Sequence, residues 1–253
     1  MSYALQTRHL VKKFGAFVAT SDVTLNVATG ARQALIGPNG AGKTTLVNLL
    51  TGFLEPTQGS ILLKGEDVTS TSQNDRVKLG LARTFQINRL FADFTVLESV
   101  TLAVCERRGL AGRFWRPVGA HGEAVAEAAE LLCQLRLLDV AHHRTKDLAY
   151  GRQRLIEIAL ALATKPSVLL LDEPAAGVPT SESRELFEII AQLPREMTIV
   201  LIEHDMDLVF RFADRISVLV GGALLTEGSP QAIAEDPQVK EIYLGEGVHG
   251  ELA

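Results

Sequence analysis

Residues 33–50 read QALIGPNGAGKTTLVNLL, and three conformational demands follow one another within that stretch. An apolar run asks for a buried strand, a glycine-rich turn asks for backbone that most residues avoid, and a second apolar run asks for a helix. The turn, Gly37 to Thr44, fits the pattern G-x-x-x-x-G-K-[ST] in the strand-to-helix context the pattern requires. Its glycines let backbone N–H groups curl around an anion, and the helix that follows adds the positive end of its dipole. Lys43 is placed to reach the β- and γ-phosphates of a nucleotide, and the Thr44 hydroxyl to bind Mg²⁺. The candidate nucleotide-binding residues are therefore Gly37, Pro38, Asn39, Gly40, Ala41, Gly42, Lys43, Thr44 and Thr45. Taken alone, the loop implies only that a nucleoside triphosphate binds.

The remaining chain supplies the setting for such a loop. The segments YALQTRHLVKKF and VTLNVATG alternate apolar and polar positions, which reads as antiparallel strands, and GSILLKGEDV is a further short strand. From about residue 85 to 164 the pattern is helical. Thr95 and Glu98 stand at capping-box spacing, and Val125, Ala128, Leu131, Leu132 and Leu135 fall on one helical face. The Gly- and Arg-rich CERRGLAGRFWRPVGAHG between these helices reads as an exposed loop, either solvated or facing a partner or lipid headgroups. SVLLLDEP, MTIVLIEHD and RISVLVGG then alternate with helical stretches, the rhythm of a buried and mostly parallel sheet. The expected fold is a single α/β domain over 1–253, with a mostly parallel core sheet, an N-terminal antiparallel β subdomain and an inserted helical subdomain. Residues 1–85 and 165–235 form the core, 86–164 the helical part and 236–253 a short tail.

Charge and composition narrow the partners. The net charge of −5 argues against a nucleic-acid surface, which is usually basic. No apolar run approaches the ~18 residues that a membrane helix needs, and the N-terminus lacks the apolar region of a secretory signal. A chain that neither spans a membrane nor is exported is expected. Cys105 and Cys133 lack metal-ligand spacing and read as ordinary buried or half-buried thiols in a reducing compartment.

A second motif indicates a reaction. LLLDEP places Asp172 and Glu173 at the end of an apolar strand, where ligands lie in parallel sheets. If the strand pattern persists to its tip, the two carboxylates face opposite ways and take different tasks. Asp172 would help hold Mg²⁺ through water, and Glu173 would orient and deprotonate an attacking water. That combination predicts hydrolysis of ATP rather than transfer to an organic acceptor.

Five segments in order, GPNGAGKT, RTFQ ending at Gln86, LAYGRQR at 148–154, LLLDEP, and IEHD with His204, resemble the ATP-binding subunits of ABC transporters over nearly the whole chain. The resemblance implies two subunits paired head to tail, with the signature segment of one covering the ATP held by the other. Tyr150 and Gly151, at a helix start, would then face the partner's γ-phosphate. It also implies that Phe14 stacks on adenine, that Gln86 senses Mg²⁺ and the attacking water, and that His204 contacts the γ-phosphate and helps fix Glu173.

Two departures stand out. The common signature is LSGGQ; here Ala149 replaces the serine that would contact the γ-phosphate, Tyr150 replaces a glycine and Arg152 the glutamine. A lost hydrogen bond to a charged acceptor costs roughly 1.5–3 kcal/mol, enough to slow hydrolysis in the partner's site. The LAYG form nevertheless resembles the branched-chain amino-acid importers, which function with it, so the alanine reads as a subfamily mark. Pro179 stands where the family usually has Asp or Asn, and it offers no polar side chain and no N–H for communication between the two sites.

RTFQINRLFADFTVLESV, LDEPAAG and the tail GSPQAIAEDPQVKEIYLGEG resemble the branched-chain amino-acid type most closely, with urea- or amide-type and lipopolysaccharide-type ATPases as the near alternatives. The resemblance implies ATP and Mg²⁺ as cofactors and a second, homologous ATPase as partner, a homodimer remaining open. It also implies two membrane permeases, an indirectly associated solute-binding protein, and a peripheral position on the cytoplasmic face of the cell membrane. Two other classes are disfavoured. A soluble ABC-type ATPase of translation or DNA repair would carry two cassettes or a long coiled-coil insert. A phosphate-loop kinase would lack the signature and the His204 segment.

Overall fold

The computed structural model describes residues 2–84, 92–110 and 121–247. The chain begins with β1 (Tyr3–Phe14), β2 (Phe17–Val23), β3 (Asn26–Ala28) and β4 (Arg32–Ile36), which leads into α1 (Lys43–Leu50). Then come β5 (Gln58–Leu63), β6 (Glu66–Asp67), α2 (Gln73–Lys78) and β7 (Leu81–Arg83). The helices α3 (Val96–Arg107), α4 (Gly122–Gln134) and α5 (Tyr150–Ala163) precede β8 (Val168–Asp172) and α6 (Thr180–Ala191). The chain continues through β9 (Thr198–Ile202), α7 (Met206–Phe212), β10 (Arg215–Val220), β11 (Ala223–Gly228), α8 (Pro230–Glu235) and α9 (Pro237–Gly247). It packs as two compact units, Met1–Arg76 with Arg195–Ala253, and Val77–Pro194.

The first unit holds both kinds of sheet that the sequence pattern calls for. β1 pairs antiparallel with β2, β3 and β5, and β5 with β6. β4 runs parallel to β10 on one side and to β9 on the other, while β11 closes antiparallel on β10. All five residues of β4 are buried, so the strand reads as an unbroken run rather than an alternation. Ala34 and Ile36 pack with Val209, Ile216, Val218 and Ile233, which ties the strand before the glycine loop to α7, β10 and α8.

The far end of α1 is held by a buried cation. Arg76 donates through Nη1 to the carbonyls of Leu49 (2.7 Å) and Leu50 (2.6 Å), through Nε to Thr71 O (3.0 Å) and through Nη2 to Thr69 O (3.0 Å). Carbonyls at a helix C-terminus lack intrahelical partners and carry the negative end of the dipole, so a guanidinium there satisfies both needs.

In the second unit β7 and β8 pair in parallel, Arg83 opposite Leu170. The capping box of α3 forms as its spacing requires: Thr95 Oγ1 accepts from Glu98 N, and Thr95 N donates to Glu98 Oε2 at 2.8 Å. The helix α4 turns inward the face read from its sequence, with Leu135 just past its end also buried. It buries Ala124, Ala128 and Leu132, while Val125 and Leu131 are half-covered. Beside this face, Glu127 meets three cations. Its carboxylate accepts from Arg107 Nη2 (2.6 Å), Arg108 Nη2 (2.8 Å) and Lys165 Nζ (2.9 Å). The cysteine expectation holds for Cys105, which is buried, and fails for Cys133, which is exposed beside the α4 stripe. Among the described residues no helix is long and apolar enough to cross a membrane. Most of the Arg-rich 105–122 loop lies outside the described residues, and its first part, through Arg107, belongs to α3.

Burial alone would raise the Glu127 carboxyl, but hydrogen bonds from Lys165, Arg108 and Arg107 outweigh it and hold the group at about 2 against an ordinary 4.5. A depressed carboxylate contributes stability that is complete above its unfolded value and is lost as pH falls through its folded value. Thermal unfolding followed from neutral pH downward should show this contribution disappearing between pH 4.5 and about 2. Glu127→Gln should lower stability by about 2 kcal/mol at neutral pH and show a shallower loss across that window.

Candidate nucleotide-binding and hydrolysis site

The glycine loop leaves β4 at Ile36, which lies opposite Val218 of β10. Its backbone is wedged in place. A Cβ on Gly37 would run into the Leu219 carbonyl, and one on Gly42 would stand 2.5 Å from Ala19 O and 3.3 Å from Gly222 Cα. Gly42 also holds φ +95 as the residue before α1, a left-handed conformation that side chains resist. Around it, Gly222 N donates to Ala41 O (3.0 Å) and Ser21 N to Gly222 O (2.8 Å), so β2 and the β10–β11 turn brace the loop together.

No side chain caps α1 and no acidic residue occupies its first turn. A helix start of this kind favours an anion. Lys43 is buried and its ammonium donates to the loop's own carbonyls, Gly37 O at 2.6 Å and Pro38 O at 2.9 Å. That cation lies across the loop whose N–H groups would meet phosphate. Thr44, Asn39 and Gly40 are exposed, Pro38 and Thr45 half-buried, and Ala41 buried.

Phe14 closes β1 opposite Phe17, and both rings are exposed, 48% and 65%. An exposed aromatic pair at a hairpin end offers a flat apolar surface, with the Lys12 ammonium 5.2 Å from the Phe14 ring centre. Two residues beyond Phe17 comes Ala19, whose carbonyl abuts Gly42, so the aromatic end and the loop share one strand.

At the other flank β9 runs beside β4, with Ile202 opposite Leu35. Glu203 and His204 therefore emerge where β4 enters the glycine loop. His204 is exposed, and its backbone N–H donates to the Glu203 carboxylate at 2.8 Å. Glu203 is buried, 5% exposed, a buried carboxylate that sequence reasoning passed over. The signal was present, a carboxylate ending an apolar strand, as it was for Asp172.

In the second unit Asp172 ends β8 and is buried, 3% exposed, its Oδ2 accepting from Arg83 Nη2 of β7 at 2.6 Å. The strand stops there. Glu173 has φ +47, a left-handed value for a non-glycine residue, so its side chain leaves by a turn and not by strand alternation. Such strain persists only where surrounding structure imposes it, and it gathers at functional sites. Within this unit the Asp172 carboxylate is a hard oxygen donor of the kind that suits Mg²⁺, which binds through few protein groups and keeps its phosphates and waters. Among the described residues no cluster of three or more His, Cys, Asp or Glu side chains offers a ready-made metal cage. Gln86, the third candidate metal ligand and a candidate catalytic residue, lies outside the described residues.

The segment LAYGRQR opens α5. Ala149 precedes it with no side-chain cap, Tyr150 is its first residue and Gly151 is buried in its first turn. A Cβ on Gly151 would stand 2.5 Å from Glu182 Oε2 of α6. Neither arginine of the segment is reserved for an anion. Arg152 Nη1 donates to Arg136 O at 2.5 Å and lies 3.3 Å from Asp139 Oδ1. Arg154 is paired with Glu157. What α5 presents at its start is backbone. Pro179 precedes α6 and likewise gives it no side-chain cap.

A phosphate-type glycine loop before a helix and an Asp–Glu pair ending a parallel strand define an ATP-binding cassette. The chain belongs to the ABC transporter family: residues 20–176 match the family model described as ABC transporter, and its members couple ATP hydrolysis to transport. Residues 223–249 match a second model, described as branched-chain amino acid ATP-binding cassette transporter. The chain is similar to the high-affinity branched-chain amino acid transport ATP-binding protein LivG of Escherichia coli K12, 41% identical over 96% of this chain and 98% of that protein. It is equally similar to the BraF protein of the same description from Pseudomonas aeruginosa, 41% identical over the same shares. Among solved structures it resembles the ADP conformation of an ABC transporter cassette, with a TM-score of 0.85, 32% identity, and coverage of 97% of this chain and 99% of that one. A dimeric cassette in a post-hydrolysis state with ADP and Pi matches at a TM-score of 0.74 and 25% identity, over 89% and 98% of the two chains.

Gly42→Ala should weaken ATP binding about tenfold or more, because the methyl group displaces either the loop or Ala19. Calorimetric titration of the full chain measures this directly. An unchanged affinity would show that the loop conformation does not matter to the nucleotide.

Proposed function

We propose that this chain is the ATP-binding and hydrolysing subunit of an importer for branched-chain amino acids or related small organic solutes. The observation that carries the reading is the buried Asp172 followed by the strained Glu173 in a chain whose glycine loop is braced to admit an anion. Full-length similarity to LivG and BraF supports the cargo class, and the 223–249 match favours it over the urea and lipopolysaccharide types.

In this reading the loop 37–44 and Thr45 wrap the phosphates, Lys43 exchanges its contacts with Gly37 O and Pro38 O for phosphate oxygens, and Phe14 supports the base. Thr44, Gln86 and Asp172 would hold Mg²⁺, which supplies charge neutralisation on the phosphates. Glu173 takes a proton from the attacking water, and His204 holds the γ-phosphate end of the site. Tyr150 and Gly151 offer the start of α5 to the nucleotide of a second ATP-binding subunit, either a homologue or another copy. That pair sits on two permeases at the cytoplasmic face of the membrane and is served by a solute-binding protein.

Glu173→Gln should bind ATP as the wild type does, lose nearly all hydrolysis and accumulate as a nucleotide-bound dimer in size-exclusion chromatography. Normal turnover would remove Glu173 from the base role. Ala149→Ser tests the signature. Phosphate release by the assembled complex should be unchanged if the alanine belongs to this subfamily's working design, and should rise severalfold if a missing hydroxyl limits it.

A further inference from the structure

The loop after Glu173 is gripped by the helix that carries the signature. Tyr150 and Arg154 are one turn apart in α5 and so share a face. The Arg154 guanidinium carbon lies 4.9 Å from the Tyr150 ring centre. On the loop side, Cε1 of the same ring is 3.1 Å from where a Cβ on Gly177 would stand, and Gly177 holds φ +77. The ring therefore lies against bare backbone, where a side chain would be strained by the positive φ and would crowd the ring.

One residue is held from both ends. Arg154 Nη2 donates to Ala176 O at 3.4 Å, and Ala176 N donates to Glu173 O at 3.0 Å. Val178 N then donates to Ala175 O at 3.0 Å, so two successive turns separate Glu173 from α6. A shift of Ala176 would pass directly to the carbonyl of Glu173 and to its positive φ.

The cation has been given a costly environment. The side chains of Arg154 and Glu157 are 5% and 9% exposed, joined by Nη1 to Oε2 at 2.8 Å. An ion pair this deep seldom repays its desolvation through stability alone, so a role in specifying geometry is the more economical account. Burial pushes the Glu157 carboxyl up and Arg154 opposes it, so each charge depends on the other. Arg152, two residues earlier, turns instead to Arg136 and Asp139 and has no part in this arrangement.

We propose that Tyr150 and Arg154 clamp the 175–178 loop, making Arg154 a positioning residue that sets the backbone following Glu173. The proposal rests on Glu173 acting as the base. It also gives the tyrosine of the departed signature a task inside its own subunit, separate from the backbone that α5 offers to a partner.

The test uses the complex purified through a tag on this chain, with Glu173→Gln as control. Arg154→Met strands the Glu157 charge and is prone to misfold, so Arg154→Met with Glu157→Leu, which replaces the pair by apolar groups, is the informative variant. Its kcat for ATP should fall about tenfold or more, with KM for ATP within about twofold of wild type. Hydrogen exchange at the amides of Ala176 and Val178 should quicken while the α5 and β8 amides keep their protection. Arg154→Lys, which retains a cation over the ring, should recover part of the lost rate.

A folded double variant with wild-type kcat and unaltered exchange would overturn the proposal. So would a parallel rise of exchange throughout α5, which would mark the pair as merely structural. Equal hydrolysis by wild type and Glu173→Gln would instead overturn the reading beneath it and the proposal with it. A dead Glu173→Gln beside a fully active double variant would remove the clamp alone.

Discussion

The close approach of the Ala19 carbonyl and the Gly222 backbone to Gly42 is the constraint on which the first unit's site depends. A phosphate-binding loop works through backbone N–H groups, so its path must be fixed by something other than its own side chains. Here β2 and the β10–β11 turn supply that boundary, Leu219 presses on Gly37, and β4 enters with every residue buried. The exit is held as well. Arg76 binds the last carbonyls of α1, so the short helix that begins at Lys43 is anchored at its far end by a cation. Between these restraints Lys43 lies folded over the loop and Phe14 stands exposed at the end of the neighbouring hairpin.

The second unit is organised on the same principle with different means. Asp172 is fixed by Arg83 across β7 and β8, and the chain then turns sharply at Glu173. In both units a parallel strand leads into irregular backbone just past its end, the place where ligands lie in parallel sheets. The helix α5 likewise begins without a side-chain cap at Ala149, with Gly151 buried in its first turn.

Much of this was legible from residue order. The glycine loop could be read because left-handed backbone and close approach leave few residues able to occupy it, and the α3 cap because its partners lie three residues apart. The parallel sheet could be read because buried strands show as uninterrupted apolar runs. What escaped depends on partners distant in sequence. Arg152 and Arg154 stand near a helix start, but their partners are Arg136 and Asp139 in one case and Glu157 and Ala176 in the other, which sequence spacing does not show. Arg107, Arg108 and Lys165 converge on Glu127, a pairing that no periodicity of α4 itself records. The left-handed turn at Glu173 was hidden for a related reason, since a glutamate gives no local sign that its backbone will be held in strain.

The central claim is that this cassette is one ATPase of a membrane transport complex. Gentle solubilisation of native membranes, capture through a tag on this chain and mass spectrometry of the recovered proteins tests it most directly. The account predicts a second ATP-binding subunit and two permease chains in stoichiometric amounts. Recovery of the chain alone, or with ribosomal or DNA-repair proteins, would contradict it.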